Sequence, residues 1–425
     1  MGMSVERPPV LMVGNFLSRS SGALEPRGTT FGRSAWQMPS SRWAHTMHQP
    51  RIGQPGVPNM TVDLVICTYR RVPQLTRLVR ALLDQTLQPA RLIVVDSSPN
   101  HEDVRRALCG TVPTAAGMPV LLVSSSHANI AYQRWLGYKT AQGDLLAYLD
   151  DDVVPLATNM LQRLVELFAD DRVAGASVGI DCRNPLVQDP DLTSLTNRLR
   201  SNPFLGRVQV CVDWLTGLPR PGSGELGLCG VQGPAGQGLV VQVPCLPGGC
   251  MAFRRECLRD ACFPADLLAI FEKRLGIGED RAMSYSAQTN GLLLLNEILL
   301  LHPGDAPTVA YPAQIRSCAR AAAYSRLFLS RLVAERRGLS TLRYRLHYYW
   351  YAAWRAIGAA SRVPLPPYRK HWAYLIGWLQ GVLLTITKPP SHEALTPRID
   401  WDADAARDCE RAELLVPAAI PAAEG

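Results

Sequence analysis

Eleven cysteines are scattered through the 425 residues, yet none forms a Cys-x-x-Cys pair and none has metal-finger spacing, so no zinc-finger framework is present. An odd count, falling partly within apolar runs, fits small buried hydrophobes in a reducing compartment. The N-terminus lacks the basic flank, long apolar stretch and small-residue cleavage site of a secretory signal, and Val10-Leu11-Met12-Val13 is too short to be one. A cytoplasmic location is therefore expected. No internal repeat is evident. Acid is nearly missing from 316 to 370, where twelve Lys or Arg face a single Glu335. The net charge of +8 thus belongs to one region, and the rest of the chain has a slight excess of acids. The implied partner is local and anionic.

The length exceeds one typical core, so one large α/β domain with appendages, or two domains, is expected. Residues 1 to about 60 are rich in Pro, Gly, Ser and Arg without a sustained period, which predicts a disordered extension. Met60 stands directly before the first strand, so a misplaced start codon is the other reading. From Val62 the alternation is regular. Strands are expected over 62–67, 92–95, 119–123, 145–149 and 173–180. Helices are expected over 73–86, 101–108, 129–142 and 155–169. Strands alternating with helices at this spacing predict a parallel sheet covered on both faces. Residues 181–245, dense in Gly and Pro, predict loops and short antiparallel strands. Order resumes at 248–253, a helix begins near Gly278, and an apolar strand covers 292–301.

Ligands of such sheets bind beyond the carboxyl ends of the strands. Three polar clusters stand at those ends: Thr68-Tyr69-Arg70, Asp96-Ser97-Ser98 and Asp150-Asp151-Asp152. Carboxylates after the apolar run Leu145 to Leu149 offer hard oxygen ligands, which suit Mn²⁺ or Mg²⁺ shared with substrate phosphates. By themselves the three acids fit equally well as an acidic turn, or as a cap before a helix opened by Pro155.

In order along the chain stand Val65-Ile66-Cys67-Thr68-Tyr69-Arg70, Val94-Val95-Asp96, Asn129-Ile130-Ala131 through Arg134 and Gly137, the triple Asp, Gly248-Gly249 through Arg254-Arg255, and Gly278-Glu279-Asp280. This series, from about 62 to 305, resembles the family 2 inverting glycosyltransferases, which have the GT-A fold. The resemblance implies a Rossmann-like, mostly parallel α/β sheet with helices on both faces. It places a catalytic domain over 61–310, with a nucleotide-binding half to 180 and an acceptor half from 181. It also implies that Thr68, Tyr69 and Asp96 border the nucleotide base, with Arg70 and Asn129 in the same matched segments, and that Arg134 reaches the base or diphosphate. Asp150 would be the ribose contact or first metal ligand and Asp152 the direct metal ligand, with Asp151 beside them. Gly248 and Gly249 would let backbone approach sugar or acceptor. The acid pair Glu279-Asp280 would open a helix, with Asp280 as the base that accepts the acceptor's proton. His302 would add a metal ligand or diphosphate contact. The sequence departs from the family after Asp280, with Met283 where Leu is common and Ser286 where a basic residue is often found.

Beyond about 319 the resemblance fades. Helical patterns over 321–337 and 342–359 mix Arg with Trp and Tyr, which suits the boundary between anionic headgroups and acyl chains. His371 to Thr387 runs seventeen residues without Asp, Glu, Lys or Arg, short of the ~20 a span needs. That length favours an in-plane or re-entrant helix over a tilted span. The alternative is a helical subdomain packing its aromatic face on the sheet. A nucleic-acid partner is not expected, since no binding motif is present. The basic helices of 319–388 are followed by 389–425, expected to be a flexible tail.

The combined expectation is a metal-dependent inverting transferase, peripheral on the inner face of the cell membrane. It would move a sugar from a nucleotide donor, UDP-linked by preference, to a saccharide or lipid-linked saccharide in cell-surface polysaccharide synthesis. Two rivals are a catalytically inactive, membrane-held nucleotide-binding scaffold and a sugar-phosphate nucleotidyltransferase. Against the latter, no Gly-rich, Lys-containing phosphate loop follows the first strand.

Overall fold

The computed structural model describes residues 60–113, 117–182, 211–219, 225–233, 238–287, 291–303, 315–365 and 368–416. The predicted N-terminal extension and much of the Gly- and Pro-rich segment lie outside the described residues. Among the described residues ten strands form one sheet in the order β10-β3-β2-β1-β4-β8-β6-β9-β5, with β7 also paired to β9. They are β1 (Val62–Thr68), β2 (Arg91–Asp96), β3 (Val120–Ser124), β4 (Leu145–Asp150), β5 (Val154–Pro155), β6 (Val173–Cys182), β7 (Val240–Val243), β8 (Cys250–Arg254), β9 (Gly291–His302) and β10 (Glu413–Val416).

Strands β3, β2, β1 and β4 are parallel. Beyond them β8 runs antiparallel to both β4 and β6, while β6 and β9 pair parallel, so the sheet is mixed. Every residue of β1 is buried, as expected of a strand covered on both faces. Its period of two splits the core. Leu64, Ile66, Leu92 and Val94 face α1 (Val72–Leu83), α2 (His101–Thr111) and α4 (Met160–Glu166). Val65, Ile93, Val95 and Tyr148 face α3 (Ile130–Thr140), α5 (Ala265–Glu272) and α6 (Glu279–Ala287). Gly137 lets α3 press onto β1, because a Cβ there would run into the Val65 side chain. Asp63, fully buried within β1, is tolerated because all its acceptor capacity is used. It takes Arg91 through two nitrogens and the backbone N–H groups of Gln142 and Gly143.

The expected helix over 155–169 begins only at Met160. Val154 and Pro155 instead form an edge pairing with β9, a position where a missing N–H costs no ladder bond. The expected antiparallel strands of 181–245 are represented by β7, antiparallel to β9.

Three long helices follow: α7 (Ile315–Arg336), α8 (Thr341–Ala360) and α9 (Tyr368–Thr387). Among the described residues no helix is long and apolar enough to cross a membrane. Helix α9 lies tightly on α7 because a Cβ at Gly377 or Gly381 would meet the Arg316 or Arg320 carbonyl. Tyr344, Tyr348, Tyr351 and Trp378 close a separate small core with Ala319, Ala323 and Leu327. Several of the aromatics that suggested a membrane face are therefore interior.

The tail corrects the expectation of flexibility. Past 389 the chain forms α10 (His392–Leu395), α11 (Trp401–Glu410) and β10, which pairs antiparallel with β3. Its anchors are largely polar. Asp408 accepts from Ser126 N, Ser126 Oγ and Tyr132 Oη, and His127 lies between Asp404 (2.9 Å) and Glu272 (3.4 Å). Burial disfavours the charged imidazole, but the two carboxylates outweigh it and raise the His127 pKa. Arg407 also contacts Asp404. A raised folded pKa adds stability below the unfolded value, and that stability is lost as pH climbs through the folded value. His127→Gln should cost about 1.5 kcal/mol at pH 6, the scale of a charge-assisted hydrogen bond. Thermal melts should show the gap to wild type shrinking by pH 9; a gap independent of pH would refute the charged pairing.

Candidate active site

Pairing registers set Thr68 beside Asp96 and Cys67 beside Asp150, so the carboxyl ends of β1, β2 and β4 share one rim. A cavity of about 220 Å³ opens there. It is lined by Cys67, Thr68, Tyr69 and Arg71 after β1, by Ala128, Asn129, Ile130, Gln133 and Arg134 at the start of α3, and by Asp150, Asp151 and Asp152. Phe271, Arg274, Glu279 and His302 complete it.

The three acids have three different environments. Asp151 accepts from Thr68 Oγ1 at 2.8 Å, and Arg71 Nη1 bridges Asp151 Oδ1 and Asp152 Oδ2, both at 2.8 Å. Burial pushes the Asp151 pKa up to about 6 in spite of Arg71. Asp150 is open on one side and accepts from Arg134 Nη2 at 2.9 Å. Its pKa is raised, first by the surrounding protein and further by Asp152, against the pull of Arg134. Asp152 Oδ1 is buried with no hydrogen-bond donor and lies 3.3 Å from His302 Nε2. His302 Nδ1 is likewise buried without a hydrogen bond.

Arg134, only 3% exposed at its side chain, joins two parts of the site. Its Nη1 lies 2.8 Å from Glu279 Oε1 while Nη2 holds Asp150 and reaches the Gly248 carbonyl at 3.3 Å. Burial opposes the charge, but Glu279 and Asp150 more than offset that and keep the guanidinium protonated. Glu279 is raised by burial, with Arg134 pulling down and Asp280 and Asp150 pushing up. Gly278, at φ +88°, supplies the turn before α6, and both acids occupy its first turn, where a helix favours negative charge.

Of the residues singled out from sequence, Thr68, Tyr69, Asn129, Arg134, Asp150, Asp151, Asp152, Glu279 and His302 line the one cavity. Asn129 is also the cap of α3, accepting from Ala131 and Tyr132 N–H. Gly249 accepts from the Asp150 N–H, and a Cβ on Gly248 would come within 3.2 Å of Asp280 Oδ2. The two glycines thus run between Asp150 and Asp280, which does not itself line the cavity. Asp96 also stays out of it: fully buried, it accepts from Ser98 N and Oγ and pairs with His101 Nδ1 at 2.6 Å. Arg70 adopts φ +57°, donates its N–H to Ser98, and lies over the Tyr69 ring. Sequence reasoning missed Arg71, Gln133, Phe271 and Arg274 as cavity residues. Only Arg71, inside the Thr68-Tyr69-Arg70-Arg71 turn, carried a signal that could have found it. Among the described residues no three His, Cys, Asp or Glu side chains converge to hold a metal. Asp152 Oδ1 and His302 Nε2, 3.3 Å apart, are two potential ligands that face each other.

Residues 63–217 match the family described as Glycosyl transferase family 2. Succinoglycan biosynthesis protein ExoM of Rhizobium meliloti is 34% identical over 113 residues, 26% of this chain and 36% of that protein. The uncharacterized glycosyltransferase YwdF of Bacillus subtilis is 32% identical over 93 residues, 22% of this chain and 33% of that protein. The chain spans about a third of the length of these relatives. A solved structure of the mannosyltransferase PcManGT from Pyrobaculum calidifontis, with GDP-Man and Mn²⁺, is similar at TM-score 0.40 and 16% identity, over 77% of this chain and 86% of that one.

Removing the Arg134 guanidinium leaves Asp150 and Glu279 facing each other unpaired. Arg134→Ala should therefore lower the unfolding free energy by about 3–5 kcal/mol in urea titrations at pH 7. Arg134→Lys, a point charge able to reach one acid, should lose less; an unchanged midpoint for both would deny the bridge its structural role.

Proposed function

We propose that the chain is a metal-dependent, inverting glycosyltransferase using a nucleotide-sugar donor, UDP-linked by preference. The observation that carries the reading is the single guanidinium of Arg134 tying the aspartate trio to the Glu279-Asp280 helix start. Donor diphosphate and acceptor hydroxyl need to be within reach of one another, and this bridge holds their expected partners together.

Thr68 and Tyr69 border the base, while Asp96 supports that wall from behind through Ser98 and His101. Asp150 meets the ribose. Arg134 and Arg71 supply fixed positive charge beside the diphosphate. Asp152 and His302 fit Mn²⁺ or Mg²⁺, since Asp152 Oδ1 is buried without a hydrogen bond and faces His302 Nε2 at 3.3 Å, and such ions take few protein ligands when phosphates supply the rest. A cation held there would supply positive charge to offset that of the leaving nucleoside diphosphate. Gly248 and Gly249 leave room for the sugar and acceptor, and Asp280 accepts the hydroxyl proton opposite the leaving group. The acceptor is a saccharide or lipid-linked saccharide. The name of ExoM supports a place in cell-surface polysaccharide synthesis. The acid-poor helices of 319–388 support peripheral placement on an anionic membrane at its cytoplasmic face.

With the donor found by screening nucleotide sugars, Asp280→Asn should lower kcat about 10²–10⁴-fold while donor affinity, read by calorimetry, stays within a few-fold. Product NMR should show the anomeric configuration inverted. Full activity of the variant removes Asp280 as base, and a retained configuration removes the single displacement. Chelation by EDTA should abolish donor-dependent thermal stabilisation in wild type and Mn²⁺ should restore it. Asp152→Asn should lose the Mn²⁺ response; stabilisation indifferent to both treatments argues for a metal-free site.

A further inference from the structure

Helix α9 shows two opposite faces. Leu375, Trp378 and Thr385, with Gly377 and Gly381, are buried. Trp372, Ile376, Leu379, Leu383 and Ile386 recur every three or four residues on the other side and are exposed, Leu383 by 60% and Ile386 by 65%. Exposed Leu342, Leu346, Trp350 and Ile357 form a comparable stripe along α8. Contiguous apolar faces of this kind are uncommon on a soluble surface and mark an interaction site.

The surrounding charge identifies the occupant. Between Glu335 and Glu393 the sequence contains no acid, and Arg345, Arg369, Lys370 and Lys388 are exposed. Two such faces brought together would set like charges against each other, which disfavours a second copy. An anionic bilayer supplies both missing partners, acyl chains for the stripe and phosphates for the cations. Trp350 and Trp372 suit the headgroup boundary. No described helix is long and apolar enough to cross, so contact in the plane is the geometry available.

We propose that the exposed stripes of α8 and α9 form one monotopic docking face that lies in the surface of an anionic bilayer, with α9 in the membrane plane. This rests on the peripheral placement given above and specifies the face responsible, independently of which sugar is moved.

The test uses the full chain, flotation with phosphatidylcholine vesicles with or without 30% phosphatidylglycerol (an order-of-magnitude match to an anionic surface), and circular dichroism to confirm folding. Wild type should float with the anionic vesicles and be released by salt. Leu379→Glu combined with Leu383→Glu should reduce binding at least tenfold. Arg369→Gln with Lys370→Gln keeps the stripe intact and should weaken binding to anionic vesicles by several-fold. Failure of wild type to float overturns the peripheral placement itself. Floating by wild type and both variants alike overturns this face while leaving that placement intact. If instead wild type is a dimer in solution that the double Glu variant disperses, with no vesicle binding by wild type, the face is an interface between copies and the proposal falls.

Discussion

A fully enclosed guanidinium is expensive to desolvate unless acids surround it, and Arg134 has two, supplied by separate parts of the fold. Asp150 ends β4 and Glu279 begins α6, so the bridge fixes the central strand against a helix far along the sequence. Several weaker contacts serve the same position. Tyr148 Oη donates to the Arg134 carbonyl. Neighbouring Gln133 donates to the Thr68 and Val95 carbonyls. Gly137, one turn further on, sets how close α3 comes to β1. The position of α3 therefore governs the mouth of the cavity, which stands on the parallel strands β1 and β4.

The same arrangement leaves the site short of positive charge. Asp150, Asp151, Asp152, Glu279 and Asp280 are gathered around Arg71 and Arg134, with Arg274 also at the wall. Raised pKa values for Asp150, Asp151 and Glu279 express that imbalance, because burial and neighbouring acids resist ionisation more than the guanidinia favour it. An incoming diphosphate would worsen it. Under the proposed reading a divalent cation would relieve it, and Asp152 Oδ1, buried without a hydrogen bond beside His302, is the oxygen it would meet.

Much of this was legible in the sequence wherever apolar periodicity governs structure. Strands β1, β2, β3, β4, β6 and β9 follow from runs or alternations of apolar residues and helix α1 from its period of three to four, and the polar residues at the ends of β1, β2 and β4 stand on one rim. Readings failed where polar contacts decide. Helix α11 has only Trp401, Ala405 and Asp408 buried, too little to register as an amphipathic pattern, and Asp408 and Asp404 hold it instead. Asp96 stands at the right strand end but turns its carboxylate to Ser98 and His101, a choice made by local backbone rather than by spacing. Pro155 suggested a helix start because edge-strand pairing with a strand some 145 residues later is invisible to local pattern.

Helix α7 connects the two surfaces that matter. On one side it packs against α6: Leu329 lies beside Gly278, Val333 clusters with Tyr285, and Arg336 contacts the Tyr285 carbonyl. On the other side it carries α9 through the Gly377 and Gly381 contacts and α8 through the hydrogen bond from Tyr348 Oη to the Ala323 carbonyl. Both contacts are close-packed or hydrogen-bonded. A surface gripping α8 and α9 would therefore also set the orientation of α6, and with it the acid pair at its start. For an acceptor anchored in that surface, the reactive hydroxyl would be presented at a fixed height, and the helical region would work as a spacer between the bilayer and Asp280.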